Sequence, residues 1–438
     1  MRLHKLSVSL FSAMAVAVVV AAPVPALAAE EEKADPTKEQ FIPILTYRTG
    51  PFAAGGSGFA SGNEDYYTLV NERDGGINGI KIVWEECDFG YNTDRGVECY
   101  ERLKAKGLKG APLVQPFSTG VAYALMERAT KDKIPLLTLG YGRTDATDGR
   151  VFPYAFPMIT NYWNQSSAKL RYIAQLSGGE DKLKGMKIVN LHLKHPYGNE
   201  TIPVWDKLAE RFGFELTHLA VPWPGIDQKS LWLQIRKIKP AYVINRNWGV
   251  SCTVPLREAA RIGFPRDHII GVWWCGSEED VIPAGKAATG YITANFHGTG
   301  TDFPVIQDIF EHVYGKMKGN ISAARVGSVY YNRGVAGGII ITEALRLAQE
   351  KFGVGPVGGV EMQWALENFD LTTDRIAELG GTLTADPTPI IERAPIEGFA
   401  LPTSLSQIPP IVGYALEQLR VRSARTVRSR TKSRARMS

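Results

Sequence analysis

The feature that most constrains this chain is a twice-repeated alternation of short apolar runs with amphipathic stretches of helical period. Ile80-Lys81-Ile82-Val83-Trp84 reads as a strand and residues 95–106 as a helix; Pro112-Leu113-Val114, a helix over 121–131 and a strand over 134–139 follow. The pattern restarts with Gly185-Met186-Lys187-Ile188-Val189-Asn190-Leu191, a helix over 201–212, a strand over 214–221, a helix over 228–238 and Ala241-Tyr242-Val243-Ile244. A helix over 254–262 and a strand over 269–272 complete this second set. Parallel neighbours need a long crossover, which a helix supplies, so each set predicts βαβ units and a parallel sheet. The expected fold class is therefore α/β, with two doubly wound parallel-sheet lobes. The sets divide near Phe156-Pro157-Met158-Ile159-Thr160-Asn161, and residues 294–310 with a long helix over 334–351 read as the chain returning to the first lobe. This assigns 41–160 and 295–375 to lobe 1, and 161–294 and 376–400 to lobe 2. A return crossing makes a multi-strand hinge, which restricts relative motion to opening and closing.

The two ends of the sequence stand apart. Arg2 and Lys5 precede an apolar run over 6–22, and Ala26-Leu27-Ala28 offers small residues for cleavage, so residues 1–28 read as a secretory signal peptide. The run is long enough to cross a bilayer, but Pro23 and Pro25 interrupt it and a polar, acidic stretch follows at once. No later segment is apolar for long enough to span a membrane, which predicts an exported, periplasmic protein of about 410 residues, enough for two cores. At the other end, Arg420, Arg422, Arg425, Arg428, Arg430, Lys432, Arg434 and Arg436 carry no acid between them, and residues 401–438 are expected to form a basic, disordered tail. Setting aside these eight charges and the two of the leader leaves 40 basic against 45 acidic residues, so the overall +5 conceals a mildly acidic core with no nucleic-acid footprint. Four cysteines, Cys87, Cys99, Cys252 and Cys275, suit two disulfides in an exported protein; three pairings are possible, and the local ones, Cys87–Cys99 and Cys252–Cys275, are preferred.

In open α/β sheets a ligand sits beyond the carboxyl ends of the strands, where helix N-termini and free N–H groups converge. Ser118 and Thr119 lie at such a point, between a strand end and a helix start. A hydroxyl there caps the helix, and the same geometry suits a carboxylate. Gly140-Tyr141-Gly142-Arg143 follows the next strand in the same way; its glycines permit close backbone approach, and Arg143 either pairs with a ligand carboxylate or with Asp145 or Asp148 at the rim. Trp248, Trp273 and Trp274 end two later strands and offer flat apolar walls with one donor each. Because neighbouring strand residues face opposite ways, at most one of Trp273 and Trp274 is expected to reach the cleft. His192 and His195 form H-x-x-H on a strand-to-loop segment, which does not put both rings on one face, so no metal is expected. No nucleophile elbow, P-loop or zinc motif is present, and Gly353-x-Gly355-x-x-Gly358 follows a helix and contains Pro356, so neither catalysis nor a cofactor is expected.

The segment from Ile44 to Gly55 (ILTYRTGPFAAG) resembles the GPFAAxG opening of periplasmic binding proteins of the leucine/isoleucine/valine type. Residues 70–79 resemble that family's helix-to-strand turn INxxGGINGxKI, Glu86-Cys87-Asp88 its strand end, and Ile134-Pro135-Leu136-Leu137-Thr138 its xIPxLT strand. The likeness runs in order over residues 41–380. It implies a type I periplasmic binding fold with three interlobe crossings, and delivery of a small organic ligand to ABC permease subunits with their ATPases. It also implies a monomer that touches the membrane only through the permease. It assigns Ser118 to the ligand carboxylate, the loop from Gly140 to further contacts, and Tyr197, in a loop resembling D-x-x-Y-G, to the cleft; Tyr47, in the opening segment, is placed there too. The family's amino-acid binders carry a glutamate near the position of Trp273 and Trp274. Here the nearest acids are Glu278 and Glu279, several residues on. A buried ammonium without that partner is costly, so the expected ligand is a carboxylate or amide with an apolar or aromatic body. The alternatives are a branched-chain or other α-amino acid, and a ligand-sensing receptor component.

Overall fold

The computed structural model of the protein describes residues 35–381 and the strand Ile391–Arg393. The leader 1–28 and the tail 401–438 lie outside the described residues. Two parallel strand pairs open the fold. In the first, β1 (Glu39–Thr46) runs beside β2 (Lys81–Asp88), in register from Glu39 opposite Lys81 to Thr46 opposite Asp88. In the second, β3 (Leu136–Leu139) pairs with β4 (Ala155–Met158). The strand expected at Pro112–Val114 is reduced to a single parallel bridge from Val114 to Leu136, since proline supplies no ladder N–H. Helices α1 (Ala53–Arg73), α2 (Thr93–Leu103) and α3 (Thr119–Asp132) connect these strands.

After α4 (Tyr162–Ser177) comes a six-stranded sheet of order β10-β9-β8-β7-β5-β6. Its strands are β5 (Lys187–Leu193), β6 (Glu215–Val221), β7 (Tyr242–Arg246), β8 (Ile269–Gly271), β9 (Ile292–Ala294) and β10 (Ile391–Arg393), and only β10 is antiparallel to its neighbour. The short helix α5 (Pro196–Asn199), then α6 (Ile202–Phe212), α7 (Lys229–Ile238) and α8 (Val250–Ile262) make the crossovers. Both faces are covered, as a parallel sheet requires. Ile188, Tyr242, Ile244, Ile270 and Ile292 share a core with Leu170 and Ile173 of α4 and Trp205 of α6. Their alternating neighbours Val189, Leu191, Leu193 and Val243 pack with Trp232 and Ile235 of α7 and Leu256 of α8.

The chain then passes through α9 (Glu278–Val281) and α10 (Pro304–Ile309) to the long helix α11 (Val329–Phe352), which lies against α1. Their crossing is close enough to require glycine: a Cβ on Gly62 would stand 2.1 Å from the Tyr331 carbonyl oxygen, and one on Gly334 2.1 Å from that of Phe59. Asp65 of α1 ties the returning chain in place, accepting from the Tyr331 hydroxyl at 2.7 Å and from the Asn320 backbone N–H at 3.0 Å. Two disulfides, Cys87–Cys99 and Cys252–Cys275, join β2 to α2 and α8 to the turn after β8.

Candidate functional site

The carboxyl ends of the strands from both parts of the fold meet around one cavity. From the first part come Tyr47, just past β1; Tyr91, past β2; Phe117, Ser118 and Thr119, past the Val114 bridge; and Tyr141, past β3. From the second come Tyr162 at the start of α4, Tyr197 past β5, Trp248 past β7 and Trp274 past β8. The space between these walls not filled by atoms is about 210 Å³. A larger void of about 310 Å³ lies inside the core between β1 and α1, behind Ile42, Leu45 and Ile341, but only one side of the fold builds it and no charged residue lines it.

The walls are aromatic rings in specific contact. Tyr47 stacks on Phe117 with centroids 5.3 Å apart, and Trp248 stands edge-on to Tyr47 at 6.3 Å, to Phe117 at 6.0 Å and to Trp274 at 5.6 Å. Such geometry favours each pair beyond the area it buries. Tyr91 (φ 60°) and Phe117 (φ 41°) adopt left-handed backbone, which costs a non-glycine residue on the order of 1 kcal/mol and directs both rings into the cavity. The polar groups are donors or neutral hydroxyls. Ser118 caps α3 by accepting from the Val121 N–H at 3.4 Å, and the Gly142 N–H donates to Thr119 Oγ1 at 3.4 Å. The Phe117 N–H donates to the Tyr141 hydroxyl at 2.8 Å, and the Tyr197 hydroxyl donates to the Asn247 carbonyl at 2.8 Å. The Tyr47 hydroxyl and the Trp248 indole N–H lie near each other, and neither has a partner of ordinary hydrogen-bond geometry. Burial lifts the hydroxyls of Tyr47, Tyr91, Tyr141 and Tyr197 well above the ordinary phenol range, and that of Tyr162 to about 12, so all five stay protonated. Among the described residues no carboxylate lines the cavity. Such a site accommodates a flat or apolar body and offers hydrogen-bond donors to its acceptor atoms.

Of the residues expected from the sequence, Tyr47, Ser118, Thr119, Tyr141, Tyr197, Trp248 and Trp274 come together here. Gly140 adjoins them: with φ +65°, it turns its carbonyl toward the indole N–H groups of Trp273 at 2.8 Å and Trp274 at 3.2 Å. Trp273 is fully buried behind the wall, stacked on Tyr162. Arg143 stays at the rim, where Asp145 binds it through two nitrogens and the Tyr123 and Phe152 rings flank it. Tyr91, Phe117 and Tyr162 escaped the sequence reading. Each stands just before, or at the start of, a helix that follows a strand, the same signal that singled out Ser118.

The family described as "Periplasmic binding protein" matches residues 39–379. No curated protein matches. Among solved structures, one described as an ABC transporter permease from the Pseudomonas fluorescens group is 45% identical, covers 79% of this chain and 84% of its own, and superposes with a TM-score of 0.71. A branched-chain amino acid ABC transporter from Thermus thermophilus with bound valine is 22% identical over 80% of this chain and 87% of its own, with a TM-score of 0.67. A solute-binding protein of an ABC transporter from R. palustris, in complex with benzoate, is 18% identical over 76% of this chain and 85% of its own, with a TM-score of 0.58.

Proposed function

From the premise that the chain belongs to the periplasmic binding protein family, we propose that it captures a small carboxylate, an aromatic or apolar acid, between its two parts for uptake by an ABC importer. The observation that carries this reading is the cavity wall, where rings and hydroxyl or indole donors from both parts converge without a carboxylate. A guest's carboxylate docks at Ser118, Thr119 and the N-terminal end of α3, where the helix dipole favours negative charge. Its body lies against Phe117, Trp248 and Trp274, and closure about the hinge excludes water. The benzoate complex of the R. palustris relative shows that a fold of this kind takes an aromatic acid. Under this reading the cleft separates lobe 1, residues 41–160 and 295–375, from lobe 2, residues 161–294 and 376–400. Residues 1–28 direct export to the periplasm, and a monomer delivers its ligand to permease subunits and their ATPases.

An α-amino acid is the weaker reading. Its ammonium needs a carboxylate, and those near Trp274 are already engaged: Glu278 accepts from the Val329 N–H at 3.0 Å, and Glu279 pairs with Arg325. The test is a melting-temperature screen of the protein against benzoate, hydroxybenzoates, short aliphatic acids, benzamide, valine and leucine. Stabilisation by aromatic or aliphatic acids is expected, because a ligand that binds only the folded state raises its melting temperature. Stabilisation by valine or leucine alone refutes the preference for an acid.

A further inference from the structure

β7 ends on Arg246, a residue fully buried in the structure. Its guanidinium carbon lies 3.5 Å from the centre of the Tyr162 ring and 4.2 Å from that of Tyr197, so the cation sits in the corner between two rings of the cavity wall that stand edge-on to each other. Nη2 donates to the Tyr197 carbonyl at 2.9 Å, while Nε and Nη1 make no hydrogen bond of ordinary geometry and the Tyr162 hydroxyl lies close to the guanidinium. Among the described residues no carboxylate pairs with it. Glu200 lies within its field but makes no ion pair with it: Oε1 accepts from the backbone N–H of Thr144 at 3.1 Å and its hydroxyl at 2.7 Å, and Oε2 has no hydrogen-bond partner. Lys169, also buried, is held well below the ordinary amine range by burial and by Arg246, so the guanidinium is the charge that persists.

A buried cation without a directly paired carboxylate is costly, and two aromatic faces offset only part of that cost. The remaining stabilisation is open to a guest, because Tyr162 and Tyr197, which both touch the cation, also line the cavity. The Tyr91 and Tyr162 hydroxyls both feel the cation. We propose that Arg246 sets the sign of the guest's charge: acting through the rings and hydroxyls of Tyr162 and Tyr197, it makes the cleft select a carboxylate over the neutral amide of the same shape. Arg246 is thus a positioning residue behind the wall, not a contact, and the inference rests on the acid-binding reading of the cleft.

Benzoate and benzamide share a ring and differ in charge, and calorimetry with the full chain at fixed ionic strength reads their affinity ratio. The wild type favours benzoate. Arg246→Met, which keeps the stem and removes the charge, lowers the acid-over-amide ratio about tenfold or more, the scale of one unit charge acting across a ring in a low-dielectric site. Arg246→Lys retains most of the ratio. A wild type that prefers benzoate while Arg246→Met keeps its ratio overturns this inference and leaves the acid reading standing. A wild type with no preference for benzoate overturns both. If Arg246→Met does not fold, Tyr162→Phe decides, since it keeps the ring and removes a hydroxyl through which the cation acts: a ratio lowered several-fold supports the proposal, and an unchanged one refutes it.

Discussion

Asp280 is fully buried one hydroxyl away from the cavity wall: the Tyr330 hydroxyl stands 2.5 Å from its Oδ2 and 2.9 Å from the Trp274 carbonyl oxygen. Ser277 adds a backbone N–H at 3.2 Å and a hydroxyl at 3.0 Å. Burial outweighs these donors and pushes the carboxyl up to about 8. In the unfolded chain the group titrates near its ordinary value of about 4, so the folded state holds its proton more tightly. The stability this contributes is fully present below about pH 4 and is lost as pH rises toward 8. Asp280→Asn removes the titration, and calorimetric melting temperatures measured from pH 5 to 8 should fall less steeply than in the wild type. Glu200, raised to about 7 chiefly by burial, has the same sign and keeps some slope in the variant. An unaltered slope would show that Asp280 does not titrate this way. At this scale the sequence displays the position of a site residue better than its direction. Ser118, Tyr141, Tyr197 and Trp248 were legible because each follows a strand end. Tyr91 and Phe117 stand in the same kind of position, but the sequence does not display the left-handed backbone that aims their rings. Arg143 was ambiguous until Asp145 proved to hold it.

At the scale of elements, what the sequence shows depends on how a segment earns its burial. The strands of the six-stranded sheet are apolar on both faces and stand out as runs, and amphipathic helices such as α6 and α7 show their period. Helix α1 did neither. Gly55, Gly56, Gly58 and Gly62 lower its intrinsic helix propensity, yet tertiary packing holds it helical, with Tyr47, Trp248 and α11 too close to admit side chains. The α1–α11 crossing is therefore a point of steric demand. Gly334→Ala, whose methyl would meet the Phe59 carbonyl oxygen, should destabilise the protein by about 3 kcal/mol through forced separation of the helices. Gly355→Ala is the control: no atom lies within 4 Å of its Cβ position, and it should stay within about 0.5 kcal/mol of wild type. Urea unfolding of the pair checks this, and equal effects would mean that the crossing has room.

For the whole molecule, the closure proposed above should leave its own signature at the rim. The Trp223 ring, in the loop after β6, lies 4.6 Å from Phe52 at the start of α1 and stacks at 5.9 Å on Tyr91, while His195 covers its other neighbourhood at 5.1 Å. Phe52 and Tyr91 belong to the first part of the fold and Trp223 and His195 to the second, so opening the cleft breaks these contacts. His195 is neutral at ordinary pH, since burial lowers it to about 4, and the clasp is thus apolar rather than ionic. Two aromatic contacts contribute about 1–2 kcal/mol together. They act on the shut state alone, because Trp223, 44% exposed, supports little of either core. Trp223→Ala should therefore speed release of a bound acid roughly tenfold while leaving its association rate near the wild-type value. The ligand-free melting temperature should stay within about a degree or two. Stopped-flow displacement gives both rates. An unchanged release rate would place the barrier to escape elsewhere, in the interior contacts of Trp274 and Gly140, whereas a large fall in melting temperature would make Trp223 a core residue and not a clasp.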